Sequence, residues 1–314
     1  MLYTGVDIGG TKCSVSIGDE KGRIAKKVVF NTTNVKDALR NIIAAVGEIG
    51  CGSAIGISCG GPLNSEAGII LSPPNLPGWD NVKITEILTR EFNTPAFLKN
   101  DADACALAEW KFGAGKGTQN MIFLTFGTGM GAGIILNGRL YSGTCDMAGE
   151  IGHVRMENKG PVGYGKEGSF EGFCSGGGIA QMGVLMAKKN FCRGQKVSFC
   201  RSPGELESIT AKSIAECADK GEEDALEIYK KCGNMLGRGL SILIDVLNPE
   251  MIVIGSIFAR SEGLLRAEME KVIKQECLGA PAKRCRIISA KLGEKLGDVA
   301  AISVAVNGMN GEMM

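Results

Sequence analysis

Two glycine-rich stretches occupy similar places in two parts of this sequence. The first, in residues 2–30, runs through Asp7-Ile8-Gly9-Gly10-Thr11-Lys12 into alternating apolar and polar residues. The second, in residues 120–143, runs through TFGTGMGAG and three aliphatic residues to Asn137-Gly138, a strong hairpin signal. A dinucleotide-binding glycine loop leads from a strand into a helix. Both stretches instead predict a strand, a glycine-rich turn and a second strand, which disfavours a Rossmann dehydrogenase.

Segments with helical and strand patterns alternate after each glycine-rich stretch. Helices are predicted over 35–50, 100–113, 222–248, 271–279 and 299–309, and strands over 251–256 and 286–292. This order predicts an α/β protein with two similar lobes, whose glycine loops face one cleft. The predicted domains are a smaller N-terminal lobe, 1–118, and a larger lobe, 119–300. A C-terminal helix, 301–314, is expected to pack back on the first lobe.

Composition excludes several classes of partner. The 314 residues carry a net charge of +1, which gives no electrostatic reason to expect nucleic acid or an anionic membrane. No apolar run approaches the roughly 20 residues of a membrane span, and the start lacks a signal-peptide pattern, so a soluble, cytoplasmic protein is predicted. The 12 cysteines show no CxxC spacing, which indicates reduced thiols rather than disulfides or a metal site.

The two glycine-rich stretches suit a nucleoside triphosphate. Bare glycine backbone lets N–H groups approach phosphate oxygens, and the Thr11 hydroxyl can donate another hydrogen bond. Asp7 offers a carboxylate oxygen to Mg²⁺, directly or through water. A single Gly-Gly pair is better explained as a tight turn, but two such loops at matching places favour phosphate binding.

The sequence resembles the ROK family of sugar kinases, in the actin/hexokinase/Hsp70-like ATPase superfamily. The resemblance rests on DIGGTK (7–12), PNLPGW (74–79), NDADACALAEW (100–110), FGTGMGAGIILNG (126–138) and AGEIGH (148–153), with a looser match at VLNPEMIVIGS (246–256). It implies a two-lobed actin-like ATPase fold, related to ribonuclease H, with the active site in the interdomain cleft. It also implies ATP and Mg²⁺ as cofactors, a small-molecule sugar as partner, and a homodimer.

The resemblance also implies roles for individual residues. Asp101 matches the general base that takes the proton of the sugar hydroxyl, although a carboxylate at a helix start can simply be a cap. The implied sugar-binding residues are Gly61, Asn75, Asn100, Asp101, Glu150, His153 and Glu171. The implied nucleotide-binding residues are Asp7, Gly9, Gly10, Thr11, Lys12, Gly127, Thr128, Gly129, Gly131, Gly133 and Gly255. Trp79, beside Asn75, is predicted to be a core aromatic instead.

The chain departs from the family where many members carry the zinc motif CxCGxxGCxE. Residues 162–171 read VGYGKEGSFE, with Val162, Tyr164 and Ser169 in the cysteine positions. None of these side chains is a usual zinc ligand, so no structural zinc site is predicted. Our hypothesis is that Tyr164, Phe170 and Phe173 stabilise the loop by apolar packing instead.

Three functions are compatible with the resemblance. The first is an ATP-dependent kinase of a hexose or hexose derivative, expected to phosphorylate the 6-OH, with glucose favoured over N-acetylmannosamine, N-acetylglucosamine, fructose, allose or a β-glucoside. The second is a sugar-responsive repressor, disfavoured because only six residues precede Asp7, too few for a helix-turn-helix. The third is a catalytically inactive sugar sensor, disfavoured by the presence of Asp7, Asp101, Glu150 and His153.

Overall fold

The computed structural model describes residues 1–311, which form two compact units. Unit 1 comprises Met1–Phe123, Ala132–Gly149 and the residues from Ala290 onward. Unit 2 comprises Leu124–Gly131 and Glu150–Ser289. The predicted domain limits at 118 and 300 stay a prediction, and residues 312–314 of the predicted C-terminal helix lie outside the described residues.

Strands and helices alternate along most of the chain. The strands are β1 (Leu2–Ile8), β2 (Lys12–Asp19), β3 (Ile24–Asn31), β4 (Ile55–Cys59), β5 (Leu63–Asn64), β6 (Ile69–Ile70), β7 (Ala96–Asn100), β8 (Met121–Phe126), β9 (Met130–Leu136), β10 (Arg139–Leu140), β11 (Val162–Gly163), β12 (Lys166–Glu167), β13 (Met251–Ile254) and β14 (Arg286–Ser289). The helices are α1 (Val35–Ile49), α2 (Ile84–Phe92), α3 (Asp101–Lys111), α4 (Phe170–Phe173), α5 (Gly176–Phe191), α6 (Ala211–Ala218), α7 (Glu223–Leu247), α8 (Ile257–Glu276), α9 (Gly279–Arg284) and α10 (Leu296–Met309).

Two five-stranded sheets carry the fold. The first has the order β3-β2-β1-β4-β7, antiparallel from β3 to β1 and parallel from β1 to β7. The second has the order β10-β9-β8-β13-β14, with β9 and β10 antiparallel and β13 and β14 parallel. Each glycine-rich stretch therefore leads from one strand into another, as predicted. The context that a Rossmann nucleotide loop requires is absent from both, since no helix follows either turn.

Helix boundaries follow local signals in the sequence. Helix α1 ends at Ile49, where Gly50 adopts a positive φ. Helix α3 begins at Asp101 because the Asn100 side chain caps it, accepting the Ala102 N–H. Helix α8 begins at Ile257, 14 residues before the predicted helical segment 271–279, and it contains a kink at Ser261 that interrupts its pattern.

The core of unit 1 lies on the faces of its sheet. Trp79 is fully buried in it, which confirms its prediction as a core aromatic. Helix α10 is buried from Asp298 to Asn307, and its Ile302 packs with Tyr3 and Ala54. Across residues 1–311, the helices that are long enough to cross a bilayer are too polar to do so.

Candidate active site

The first glycine turn joins β1 to β2 and lies against the segment that contains Asn75. The Gly9 N–H donates to the Lys12 carbonyl oxygen at 3.0 Å, and the Thr32 hydroxyl donates to the Gly9 carbonyl oxygen at 2.6 Å. A Cβ at Gly10 would lie 2.7 Å from the Asn75 carbonyl oxygen, so only glycine allows this approach. The structure thus brings together a glycine turn predicted to bind phosphate and a segment that the family resemblance links to the sugar.

Asp7, at the end of β1, lies among other carboxylates of unit 1. Burial raises the pKa of Asp7 to about 6, against a hydrogen bond with Ser58 that lowers it, and the charges of Asp101 and Asp298 raise it further. Asp298 itself accepts hydrogen bonds from Ser14 and Lys27. Ionised Asp7 is suited to bind a cation, because the cation would offset the repulsion between Asp7 and the carboxylates of Asp101 and Asp298.

Asp101 is the first residue of α3 and follows β7 directly. Its Oδ1 accepts the Ala102 N–H at 2.8 Å, beside the Asn100 Oδ1 at 2.9 Å. Asp101 is accessible to solvent, yet desolvation by the surrounding protein raises its pKa, while the bond from Ala102 lowers it. Gly61 lies against Asn100, since a Cβ there would be 3.2 Å from the amide nitrogen. Both carboxylate roles, cap and base, are therefore compatible with the geometry.

The second glycine loop, Gly127–Gly131, uses several of its N–H groups internally. Gly127 donates to the Gly129 carbonyl at 3.1 Å, Gly131 donates to the Thr125 hydroxyl at 2.9 Å, and Met130 donates to the Glu171 carboxylate at 2.9 Å. Within residues 1–311, the N–H groups of Thr128 and Gly129 have no protein acceptor. Those two N–H groups are the candidates for a phosphate.

Gly133 has a different reason to be glycine. A Cβ at this position in β9 would lie 2.4 Å from the Ala102 carbonyl oxygen and 2.5 Å from the Ala106 Cβ, both in α3. The strand and the helix approach each other only because the side chain is missing. This packing accounts for Gly133 without a ligand, and its nucleotide contact stays a prediction.

A cavity of about 660 Å³ in unit 2 adjoins the second glycine loop. Its wall includes Gly127 and Thr128 and the first residues of three helices, α5, α6 and α8. The N-termini of helices favour anions, because their N–H groups and dipoles point outward. Ile209, Ile257 and Tyr229 add apolar surface. The cavity therefore combines anion-binding backbone with an apolar wall, as a nucleotide requires.

Ser256 marks the strained point of this cavity. It follows Gly255, whose N–H donates to the Leu124 carbonyl at 3.0 Å, and it precedes α8. Its backbone has φ 55° and ψ −109°, a conformation that non-glycine residues rarely adopt. Such strain is found most often where function requires it.

Glu150 precedes the 3-10 helix Ile151–His153 and His153 ends it, and both residues are exposed. The His153 imidazole lies 6.2 Å from the Tyr164 ring, centroid to centroid. Phe170 and Phe173 are buried, as our packing hypothesis predicts, but Tyr164 is 71% exposed, and the hypothesis is wrong for it. Among residues 1–311, no group of three or more His, Cys, Asp or Glu side chains could hold a metal ion.

Comparison with known proteins identifies the family. The model of the ROK family matches residues 3–307. The chain belongs to the ROK family. It is 30% identical to the glucokinase of Thermotoga maritima, over 96% of each chain, and 29% identical to the N-acetylmannosamine kinase of Escherichia coli, over 88% of this chain and 89% of that relative. The glucokinase of Streptomyces griseus, solved with glucose and AMPPNP, superposes with a TM-score of 0.77 at 28% identity, over 97% of this chain and 99% of that one.

These matches confirm the family and the two-lobed actin-like α/β fold that the sequence motifs implied for this ROK protein. Sequence reasoning missed part of the candidate site. Asp298, whose charge acts on Asp7, was not predicted, nor were Gly176, Gly177 and Arg260, which line the cavity in unit 2. A signal was present for two of them: Ser175-Gly176-Gly177-Gly178 places a capping residue before three glycines at a helix start.

A second groove of the ROK protein lies elsewhere in unit 2. It has a volume of about 970 Å³ and is lined by the end of α5 and the start of α7, including Lys189, Arg193, Glu223 and Glu227. No predicted site residue lines it. Residues of the second glycine loop and of three helix N-termini line the smaller cavity instead.

Proposed function

We propose that this ROK protein transfers the γ-phosphoryl group of ATP to the 6-OH of a hexose, with glucose as the first candidate. The coarser statement, an ATP-dependent sugar kinase, rests on the family match and on the glucokinase relatives. The observation that carries the proposal is the position of Asp101. It is a solvent-accessible carboxylate with a raised pKa, at the start of a helix and next to Asn100 and Gly61.

In the proposed step, Asp101 accepts the proton of the attacking sugar hydroxyl. The hydroxyl oxygen forms a bond to the γ-phosphorus, and the bond from that phosphorus to the bridging oxygen of ADP breaks. A raised pKa brings a carboxylate closer to the proton affinity that a base needs near neutral pH. Asn100 holds the start of α3, so it fixes the position of the Asp101 backbone. Positioning and charge neutralisation supply most of the catalysis in phosphoryl transfer.

The nucleotide is proposed to bind through two sets of residues. Asp7 would hold Mg²⁺, which neutralises charge on the phosphates when bound, and the turn Gly9, Gly10, Thr11 and Lys12 would contact phosphate oxygens. In unit 2, Thr128 and Gly129 would donate backbone N–H groups, and the cavity beside Ser256 would receive the nucleoside. The unengaged N–H groups and the three helix N-termini support this assignment.

The sugar is proposed to contact Asn75, Asn100, Glu150 and His153. Glu171 is a weaker candidate, because one of its oxygens already accepts the Met130 N–H. N-acetylmannosamine, N-acetylglucosamine, fructose and β-glucosides remain alternative substrates, since a few polar contacts decide between such sugars. We further propose a cytoplasmic homodimer without structural zinc. Light scattering and metal analysis of untagged protein would test the last two points.

The decisive experiment measures ADP release from MgATP with hexoses, N-acetylhexosamines and β-glucosides, and locates the phosphate in the product by NMR. One sugar that stimulates turnover, with phosphate on its O6, supports the proposal in full. Phosphate on another oxygen corrects the position alone. Sugar binding without turnover in the wild type would favour a sensor, and Asp101 would then act only as a helix cap.

A further inference from the structure

Tyr164 has a backbone conformation that does not suit its side chain. Strands β11 and β12 pair as Val162 with Glu167 and Gly163 with Lys166, so Tyr164 and Gly165 form a two-residue hairpin loop. Their φ angles are 44° and 74°. This is the turn that favours Asn-Gly. Among the non-glycine residues with positive φ in the described part of the chain, Tyr164 is the only aromatic one, and the others are Asn, Asp or Ser.

Burial does not compensate for this strain. The Tyr164 side chain is 71% exposed, so its hydrophobic contribution to folding is small. Residues held in unfavourable backbone conformations cluster at functional sites. The presence of a bulky tyrosine in a turn that favours asparagine is therefore not explained by burial. The contacts of its ring offer another explanation.

The ring of Tyr164 contacts the imidazole of His153. The two ring centroids are 6.2 Å apart and the planes meet at 77°, an edge-to-face arrangement of the kind aromatic pairs prefer. His153 is the only histidine in the sequence and, under the proposed function, a sugar ligand. The hairpin loop thus places its strained residue against a residue of the proposed sugar site.

The same hairpin also holds the backbone of His153. The Lys166 ammonium donates to the His153 carbonyl oxygen at 2.8 Å. The next residue, Val154, accepts the Phe170 N–H at 2.8 Å. Lys166 and Phe170 therefore hold the main chain at His153 and Val154, while Tyr164 contacts the imidazole.

We propose that Tyr164 is a positioning residue that orients the imidazole of His153 for sugar binding. This inference rests on the proposed function. An exposed imidazole has broad torsional freedom, and ordering it only when the sugar arrives would weaken binding. The ring of Tyr164 restricts that freedom in advance, and the strained turn is what puts the ring there.

Three variants distinguish the effect of the Tyr164 ring on sugar binding from an effect on the hairpin's structure. Tyr164→Asn removes the ring and gives the hairpin loop its preferred residue, so the hairpin is kept. Tyr164→Phe keeps the ring, and Lys166→Met removes only the contact to the carbonyl. We expect Tyr164→Asn to raise the KM for sugar about tenfold, with kcat and the KM for ATP changed less than about threefold. Tyr164→Phe should stay within about twofold of the wild type, since this variant keeps the aromatic ring beside the imidazole.

A sugar KM for Tyr164→Asn equal to that of the wild type would overturn the inference. So would a Tyr164→Phe variant as impaired as Tyr164→Asn, because the hydroxyl and not the ring would then matter. If the wild type phosphorylates no sugar, the proposed function fails, and that failure is visible before any variant is made.

A second measurement does not depend on activity. In protein freed of any tag, His153 gives the only imidazole signals in a ¹H–¹³C spectrum. The ring current of Tyr164 should displace these signals in the wild type and in Tyr164→Phe, and the displacement should disappear in Tyr164→Asn. Sugar should broaden or shift the signals in the wild type. Imidazole signals at the same position in all three proteins would show that the ring contact is absent and would refute the inference.

Discussion

Asp101 and Asp103 lie two residues apart at the start of α3, but their surroundings differ. Asp101 is accessible to solvent, and its recorded hydrogen bond comes from the helix backbone. Asp103 is buried and accepts a hydrogen bond from the Ser142 hydroxyl at 2.7 Å. Lys99, also buried, donates to Ser142 at 3.4 Å and to Ser65 at 3.1 Å. The Asp101 carboxylate is accessible to a ligand, whereas the Asp103 carboxylate is enclosed in a network of polar side chains.

Ionisation of both carboxyl groups is disfavoured in the folded protein, but their surroundings suit different roles. Burial raises the pKa of Asp103 to about 7, against Ser142 and Lys99, which lower it. Desolvation also raises the pKa of Asp101. Asp103 belongs to a hydrogen-bond network that joins β7 to the loop before Glu150, so its role is structural. On the accessible Asp101 carboxylate, a raised pKa suits the proposed role as a base. A raised pKa alone therefore does not identify a catalytic group, since the buried Asp103 has one as well as the accessible Asp101.

The largest effect should come from Asp101→Asn. We expect sugar-dependent turnover to fall about 10³-fold, because the base is lost. Stability at pH 8 should be unchanged or higher, since a carboxylate with a raised pKa is costly when ionised. Turnover from a coupled ADP assay and urea unfolding provide the two readouts. A variant that retains most of its turnover would show that Asp101 is a cap and not a base.

Asp7→Asn tests the carboxylate that is proposed to bind the cation. The expected loss is roughly a hundredfold in kcat/KM for MgATP, because the proposed cation-binding group is removed. The pKa of Asp7 is raised from 3.8 to about 6, so its ionisation in the folded protein costs up to about 3 kcal/mol. The contribution of Asp7 to the free energy of unfolding is therefore greatest below about pH 4 and is lost as the pH rises through about 6.

The check on Asp7 is urea unfolding of wild type and Asp7→Asn between pH 4 and 8. The variant should gain stability relative to the wild type across that range and hold the gain above pH 6. Parallel stability curves would mean that Asp7 titrates normally in the folded protein.

Asp103→Asn tests whether Asp103 affects stability through the polar network without taking part in phosphoryl transfer. Because the pKa of Asp103 is raised from 3.8 to about 7, the wild type should lose up to about 4 kcal/mol relative to this variant between pH 4 and pH 7. Turnover should fall less than about tenfold, since Asp103 does not contact the reacting atoms in the proposed step. A loss of turnover as large as that of Asp101→Asn would erase the distinction between the two carboxylates.

Ser142→Ala should give the smallest effect. Removing the hydroxyl takes away one hydrogen bond to Asp103, which is worth about 1 kcal/mol. It should also move the pKa of Asp103 higher, because that bond lowers it. The pH midpoint of the stability difference from Asp103→Asn should therefore rise. A lower midpoint would mean that Ser142 does not support the ionised form.

Much of the fold could be predicted from short-range signals. Alternating residues and the Asn137-Gly138 pair predict β9 and β10, and both residues adopt the positive φ of such a turn, 52° and 71°. Asn100 predicts the start of α3 and caps it. These features depend on a few neighbouring residues, so the sequence alone determined them. It also determined the family, because the motifs stand in a specific order over nearly the whole chain.

Only the tertiary structure decided what surrounds those residues. Asp298 follows Asp7 by 291 positions yet influences its pKa, and Gly133 is explained by contacts with Ala102 and Ala106, which precede it by 31 and 27 positions. The three helix N-termini around the cavity of unit 2 and the contact of Tyr164 with His153 likewise depend on tertiary structure. Backbone conformation follows from local chemistry, whereas burial, charge interaction and ring contact depend on which distant segments pack together.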